Sequence, residues 1–293
     1  MLKYTYKGGG KMFEKQKVSL CDKELIKEFL AIVGVIGGIY TYATIFFEIP
    51  SEYKNKVIIF IIVSIVLLLI YLVLWIRANK MESIKLRING STLEVKLGDI
   101  FEEEELKVIA FNEYFDTIVD DDIIAKNSLN GIFITTKLKG SLEDFDDEID
   151  KYLSTKKMGE YSINNDRGVG KKKRYPLGTI CKYKNEYLFT ALTRFDKDNK
   201  AKILLKDYVY ALMNFWSEID RVYAGKSVSI PLLGSGQTRI EDKIDILEQE
   251  LLELLIWTFK VSRIKIKHPS KITIVIYPNN KEKINFYKLK ELI

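Results

Sequence analysis

Two stretches of this chain carry residue types that can grip an anion or a nucleotide. Pro231 to Arg239 reads PLLGSGQTR, with Gly234, Ser235 and Gly236 directly after an apolar run. Glycines let backbone amides converge on an anion, and a helix that follows adds positive potential at its amino end. Ser235, Gln237 and Thr238 supply side-chain donors, and Arg239 a counter-charge. Val108 to Thr117 reads VIAFNEYFDT and places Asn112, Glu113 and Asp116 just past a second apolar run. Each stretch also has a plainer reading. Gly-Ser-Gly is common in simple turns, and Asn112 suits a left-handed cap at a strand end. Asp120-Asp121-Asp122 reads as capping of a short segment at Ile123 and Ile124. Lys171-Lys172-Lys173-Arg174 reads as a solvated or lipid-facing loop, with attraction of an anionic ligand as its competing role.

Composition narrows the chemistry further. The single histidine, His268, leaves no imidazole set for zinc or iron and stands in a basic surface stretch. The two cysteines, Cys21 and Cys181, are too few and too far apart for a disulfide framework or thiolate cluster, and suit a reducing compartment. No metal, no cofactor and no catalytic residue is therefore expected. The net charge of +6 comes from 46 basic against 40 acidic residues, a mixed surface rather than a polybasic one. No aromatic–basic interleaving accompanies the lysines, so nucleic acid is not expected as a partner.

These stretches need a scaffold whose strand ends lie side by side. From about Glu82 to Ile293 apolar runs alternate with helical patterns. Asn89-Gly90 between two alternating stretches is a type I′ hairpin signal. KVIAF (Lys107 to Phe111), TICKY, YLFTALT, SVSIPLL (Ser227 to Leu233) and KITIVIYP read as strands. Helices are expected from Ser141 to Leu153 with Ser141 as N-cap, from Leu205 to Tyr223, from Ile244 to Val261, and in a basic terminal segment. This alternation predicts an α/β domain over 82–293, a three-layer mixed sheet with helices on both faces. Ligands of open α/β sheets gather beyond the carboxyl ends of strands, where both candidate stretches fall.

Ahead of this domain lie two uncharged apolar stretches, Phe29 to Phe47 and Val57 to Ile76. At about 1.5 Å per residue each spans roughly 30 Å, the thickness of a bilayer core. They predict a two-helix transmembrane hairpin over 29–76, preceded by a cytoplasmic arm over 1–28. Lysine is frequent in that arm (Lys3, Lys7, Lys11, Lys15, Lys17, Lys23, Lys27), and Arg77, Lys80, Lys85 and Arg87 follow the second span. The connection around Pro50 balances Lys54 and Lys56 with Glu48 and Glu52. This bias places both termini in the cytoplasm, with a multi-pass protein in the cell's inner membrane. Gly34 and Gly38 form a G-x-x-x-G spacing, which serves either self-association or packing against the second span.

The pieces GDI (Gly98 to Ile100), VIAFNEYFDT, YPLGT (Tyr175 to Thr179), ALTRF (Ala191 to Phe195) and PLLGSGQTR, in this order behind two spans, resemble the divergent macro domain of transmembrane-macro effectors from Thoeris antiviral systems. The resemblance implies binding of an ADP-ribose derivative. Asp99 would meet the adenine amino group with the Ile100 backbone alongside. Asn112 would face the distal ribose, Leu233 to Thr238 would wrap the diphosphate, and Tyr277 would flank adenine. Glu113, Tyr114 and Phe115 replace the glycine-rich loop that helps related hydrolases position the scissile bond. The implication is a bulkier, acidic lining that selects an adduct of ADP-ribose rather than cleaves it.

The resemblance further implies a sensor and effector. A TIR-domain enzyme makes the signal, the macro domain binds it, homo-oligomers assemble, and clustered spans disrupt the lipid bilayer. The alternatives are a membrane-tethered hydrolase of ADP-ribose derivatives, with Asp116 or Glu113 as general base, and a passive receptor that recruits another protein.

Overall fold

The computed structural model describes residues 17–47, 53–155, 161–196, 201–236, 239–240 and 246–292. The chain divides into two compact units, one ending at Asn79 and joined by 282–285, the other comprising 80–281 and 286–293. The turn at Pro50 and most of the lysine-rich arm lie outside the described residues.

The first unit is built on α1 (Lys23–Ala43) and α2 (Tyr53–Asn79). Asp22 caps α1 by accepting the amides of Glu24 and Leu25 at 3.0 and 3.1 Å, so the helix starts six residues before its uncharged stretch. It ends at Ala43, and residues 44–47 form a turn in which Phe46 N donates to Ala43 O at 3.0 Å. Both helices are long and apolar enough to cross a membrane by length and composition. Their apolar side chains stand in the open, Ile39 66% and Phe60 72% exposed. The two run antiparallel and meet near the start of α1 and the end of α2. There Phe29 and Tyr71 pack edge to face at 5.1 Å, and Tyr71 Oη donates to Leu20 O. Trp75 Nε1 donates to Val18 O at 2.9 Å, and Val18 N donates to Asn79 Oδ1 at 3.0 Å. A Cβ added at Gly34, Gly37 or Gly38 would meet no atom within 4 Å, so the glycine face takes no part in this contact.

The second unit runs β1 (Ser83–Ile88), β2 (Ser91–Leu97), β3 (Leu106–Asn112), α3 (Leu129–Ile132), α4 (Leu142–Thr155), β4 (Ser162–Ile163), β5 (Lys173–Arg174), β6 (Ile180–Tyr183), β7 (Tyr187–Phe195), β8 (Ala201–Ile203), α5 (Leu205–Val222), β9 (Val228–Pro231), β10 (Arg239–Ile240), α6 (Glu248–Ser262) and β11 (Ile272–Ile276). Among the described residues, nine strands form one mixed sheet in the order β1-β2-β11-β9-β3-β7-β8-β10, with β6 also paired to β7. The five central strands, β2, β11, β9, β3 and β7, are mutually parallel, so their carboxyl ends share one edge. The β1–β2 turn is the expected one: Asn89 and Gly90 sit at φ 54° and 80°, as a type I′ turn requires.

Successive side chains on a strand face opposite sides, so alternate residues feed two cores. On one side Ile109, Phe111, Phe189 and Ala191 pack with Phe133 and with Phe145, Ile149 and Leu153 of α4. The Phe189 ring centroid lies 4.8 Å from Phe111, 5.0 Å from Phe133 and 5.4 Å from Phe145. On the other side α5 and α6 lie together. Trp216 and Phe259 meet at 4.8 Å, and Trp216 Nε1 donates to Thr258 Oγ1 at 3.0 Å. Each such side chain contributes roughly 1.5–3 kcal/mol by leaving water. The sheet therefore has helices on both faces, as the alternation of strands and helices predicts.

Ser141 caps α4 by accepting the Asp144 amide at 3.0 Å. Several boundaries differ from the sequence pattern. The strand expected over 227–233 stops at Pro231, because Leu232 turns the chain. The helix expected from Ile244 is described from Glu248, with 241–245 outside the described residues. The expected terminal helix is a short 3₁₀ segment, Tyr287–Leu292, too few residues to repay α-helix nucleation. The basic run at 171–174 is not a free loop. Lys171 Nζ reaches Asp146 at 2.6 Å, Lys173 Nζ reaches Asp150 at 3.7 Å, and Arg174 Nε pairs with Glu113 at 2.8 Å. Its charges are drawn onto acids of α4 and the β3 loop, and β4 and β5 close the segment into a small hairpin.

Candidate nucleotide-binding site

A cavity of about 850 Å³ opens along the shared carboxyl edge of the parallel strands, within the range of roughly 300–1,000 Å³ usual for ligand pockets. Its wall follows the strand order. Gly98, Asp99 and Ile100 come from the end of β2, Val275 and Tyr277 from β11, Leu232 to Gly236 from β9, Asn112 from β3, and Thr193 and Phe195 from β7. At about 4.8 Å between strands, the distance from the β2 end to the β3 end is roughly 14 Å. A ligand touching both Asp99 and Asn112 must be long.

Asp99 is held by its own chain. Its carboxylate accepts the Phe101 amide at 2.9 Å and caps a single 3₁₀ turn, Ile100–Glu102. A carboxylate has lone pairs left for a second donor. Asp99 and Tyr277 are both exposed at the rim, whereas Ile100 is buried. Lys137 also reaches the wall, its ammonium 5.4 Å from the Phe101 ring centroid. Among the described lining residues, Asp99 and Lys137 are the formal charges. The rest of the wall is neutral, so recognition must lean on backbone dipoles and shape.

The Gly-Ser-Gly loop is a tight turn. Ser235 N donates to Leu232 O at 3.3 Å and Ser235 Oγ to the same oxygen at 2.7 Å. Gly234, at φ 84°, occupies the left-handed position that such a turn demands. Behind it the fully buried Tyr208 donates its hydroxyl to Leu233 O at 2.8 Å. Burial pushes that hydroxyl well above its ordinary pKa, which keeps it a donor. Turn and tyrosine together present Leu233 to Gly236 to the cavity. Gln237, Thr238 and the Arg239 side chain lie outside the described residues, although the Arg239 backbone enters β10.

Asn112 sits where the β3–β7 register shifts, pairing with Thr193 while Phe111 pairs with Ala191. The extra residue on β7, Leu192, splays the two strands and re-aims their ends, as bulges beside sites do. Asn112 Oδ1 accepts the Tyr114 amide at 3.0 Å, and Nδ2 donates to Asp116 Oδ2 at 3.0 Å. Glu113 and Asp116, expected at the ligand, instead stand behind the wall. Glu113 pairs with Arg174, and Asp116 with Arg167 at 2.6 Å. The Glu113 hydrogen bond raises the Arg174 pKa above its ordinary value, outweighing burial. Tyr114 and Phe115 are likewise buried, Phe115 in the left-handed region at φ 51° with its ring against Tyr175. The bulky acidic lining is thus absent from the described wall, because these four side chains turn inward to satisfy charge and bury aromatic area.

What lines that end is a segment whose chemistry is quiet in sequence. Ile123, Ile124, Ala125, Asn127, Ser128, Leu129, Asn130 and Ile132 all reach the cavity. Asp120 fastens its start, accepting the Asp122 amide at 3.0 Å and the Ile123 amide at 2.7 Å. The capping reading of the aspartate run holds for Asp120. The available signal was the Ile123-Ile124 pair between a capping aspartate and a Ser128 N-cap, which forms part of the wall.

Known proteins resemble this chain over most of its length. The sequence model of the family described as Thoeris protein ThsA, Macro domain, matches residues 93–277. A protein of Bacillus amyloliquefaciens (strain Y2), Thoeris protein ThsA, is 40% identical over 286 residues, covering 97% of this chain and 94% of that protein. Among solved structures, a mutant of the Oceanobacillus iheyensis macrodomain aligns over 74% of this chain and 96% of its own, at 16% identity and TM-score 0.46. Another mutant of that macrodomain, with ADPR, aligns over 72% and 98%, at 17% identity and TM-score 0.46. With the family match covering the cavity-side end of every strand that lines the cavity, and the relative matched almost end to end, the chain belongs to the Thoeris ThsA macro-domain family.

Proposed function

We propose that this protein is a membrane-anchored antiviral effector whose macro domain senses an ADP-ribose derivative made by a TIR-domain partner. The observation that carries the reading is the order of groups along the cavity. A carboxylate and an aromatic ring stand at one end, a glycine turn at the middle, and an asparagine at the other. In that order they suit adenine, diphosphate and distal ribose. Asp99 accepts from the adenine amine, Tyr277 covers its ring, the amides of Leu233 to Gly236 with Gln237 and Thr238 take the diphosphate, and Asn112 meets the sugar beyond it. Arg239 adds a counter-charge. The segment 123–132, whose cavity-lining residues are uncharged, closes the far end around whatever the sugar carries.

The membership of a Thoeris family supports the antiviral role. The two long apolar helices support a bilayer anchor, with both termini in the cytoplasm on the lysine distribution. Ligand binding favours an assembled state only if that state binds more tightly. The glycine face of α1, unused within the hairpin, is the surface on which spans of neighbouring copies meet. Hydrolysis is not favoured, since Glu113 and Asp116 are locked to arginines and stand off the cavity. The reading is tested with the full-length protein in liposomes. ADP-ribose and the product of a TIR-domain enzyme acting on NAD are each added while particle size and dye leakage are followed. Size growth and leakage with the TIR product are expected. Identical traces with and without it refute the proposal, and recovery of altered ligand moves the assignment to a hydrolase.

A further inference from the structure

The far wall of the cavity is braced from behind by the β4–β5 hairpin, none of whose described residues touches the cavity. Asn112, 3% exposed, lines the site but does not hold itself in place. Its Nδ2 leans on Asp116, which is fully buried. Asp116 in turn is gripped from the hairpin. Arg167 Nη1 and Nη2 donate to its two oxygens at 3.1 and 2.6 Å, and Lys171 N donates to Oδ1 at 2.8 Å. A bidentate fork of this kind fixes direction as well as distance.

Arg167 acts on a second wall residue as well. Its guanidinium lies 4.0 Å from the Tyr114 ring centroid and 5.5 Å from that of Phe195, which lines the cavity beside Thr193. Arg174 completes the brace from β5, whereas Arg167 stands in the loop between β4 and β5. It holds Glu113 Oε2 at 2.8 Å, while Glu113 Oε1 accepts the Phe195 amide at 3.3 Å. The hairpin tip is shaped for the task. Gly170 sits at φ 93°, and a Cβ there would fall 2.8 Å from both Arg167 Cζ and Asp116 Oδ1.

We infer that Arg167 is a positioning residue. Through Asp116 it sets the orientation of Asn112, and by ring contact it sets Phe195, so it tunes recognition of the part of the ligand beyond the diphosphate. The inference rests on the nucleotide reading above. It also makes Arg167 selective: the groups that meet adenine and diphosphate hang on β2, β11 and β9, out of its reach.

The test uses the full-length protein in detergent with two probes, ADP-ribose and ADP, which differ by the distal ribose esterified to the terminal phosphate. Calorimetry is run on wild type, Arg167→Lys and Arg167→Met, with thermal melting alongside. Both variants are expected to lose tenfold or more in ADP-ribose affinity while ADP affinity changes less than twofold. A general loss of structure would lower both together. If Arg167→Met fails to fold, Arg167→Lys, which keeps the charge but not the fork, decides. A folded variant that keeps the wild-type ratio of the two affinities, or that weakens both equally, overturns the inference. If wild type binds neither these probes nor the product of a TIR-domain enzyme acting on NAD, the nucleotide reading itself falls, and the positioning role falls with it.

Discussion

Gly234 and Gly236 flank one serine yet should answer differently to the same substitution. Gly234 sits at φ 84°, and a Cβ placed on it would lie 3.2 Å from Tyr208 Cε2. An L-residue in the left-handed region costs roughly 1–2 kcal/mol. The Tyr208 ring is fully buried, so making room endangers its hydrogen bond to Leu233, worth about 0.5–1.5 kcal/mol. Gly234→Ala therefore loses about 1.5–3.5 kcal/mol. If the turn keeps its shape, the loss appears in stability. If the turn relaxes, it appears as a fall in affinity of roughly tenfold for each 1.4 kcal/mol. At Gly236 an added Cβ meets no atom within 4 Å, so Gly236→Ala should stay within about 0.5 kcal/mol. Chemical denaturation of the full-length protein and calorimetry with ADP-ribose measure both quantities. Equal responses of the two variants, or a Gly234→Ala protein with unchanged stability and affinity, refute the reasoning.

Phe189→Ala removes a ring that touches Phe111, Phe133 and Phe145, and should cost about 3–5 kcal/mol; denaturant titration reads it, and a loss below about 1 kcal/mol contradicts the core described. The Asp120 carboxyl is held below its ordinary value of 3.8, chiefly by the Ile123 amide, with burial opposing and the Asp122 amide adding to it. Because the folded pKa is depressed, the stability it contributes is complete above the unfolded pKa and is lost as pH falls through the folded one. Asp120→Ala should therefore weaken the cavity segment at neutral pH and narrow its gap from wild type in strong acid, read by hydrogen exchange across 121–125. Gly34→Leu with Gly38→Leu finds open space in the hairpin, so the helices should persist by circular dichroism while crosslinked assembly falls. Unchanged crosslinking would clear this face of any role between copies.

The fold was largely legible because its signals are local. Asn89-Gly90 can hardly avoid a hairpin, and the apolar alternation of β3 and β7 places Phe111 and Phe189 in one core. The site was legible only where backbone chemistry announces itself, as at Asp99 and Gly234. Glu113 and Asp116 look like ligand groups in sequence, because nothing local shows that Arg174 and Arg167, more than fifty positions away in the chain, neutralise them. The same long-range pairing hides the fate of the basic run at 171–174. Conversely, Ile123 and Leu129 look like ordinary core residues, and only the packing of their segment against the carboxyl ends of the strands turns them into a wall.

The cavity wall draws on residues from Gly98 to Asn280, contributed by the ends of five adjoining strands and by the segments between them. A molecule lodged there bridges pieces of chain made early and late in synthesis, much as a clasp joins the two ends of a necklace. Occupancy should thus resist melting of the entire domain rather than of one loop. No excised fragment lacking either β2 or β11 can form the whole wall, which ties the cavity to completion of the polypeptide.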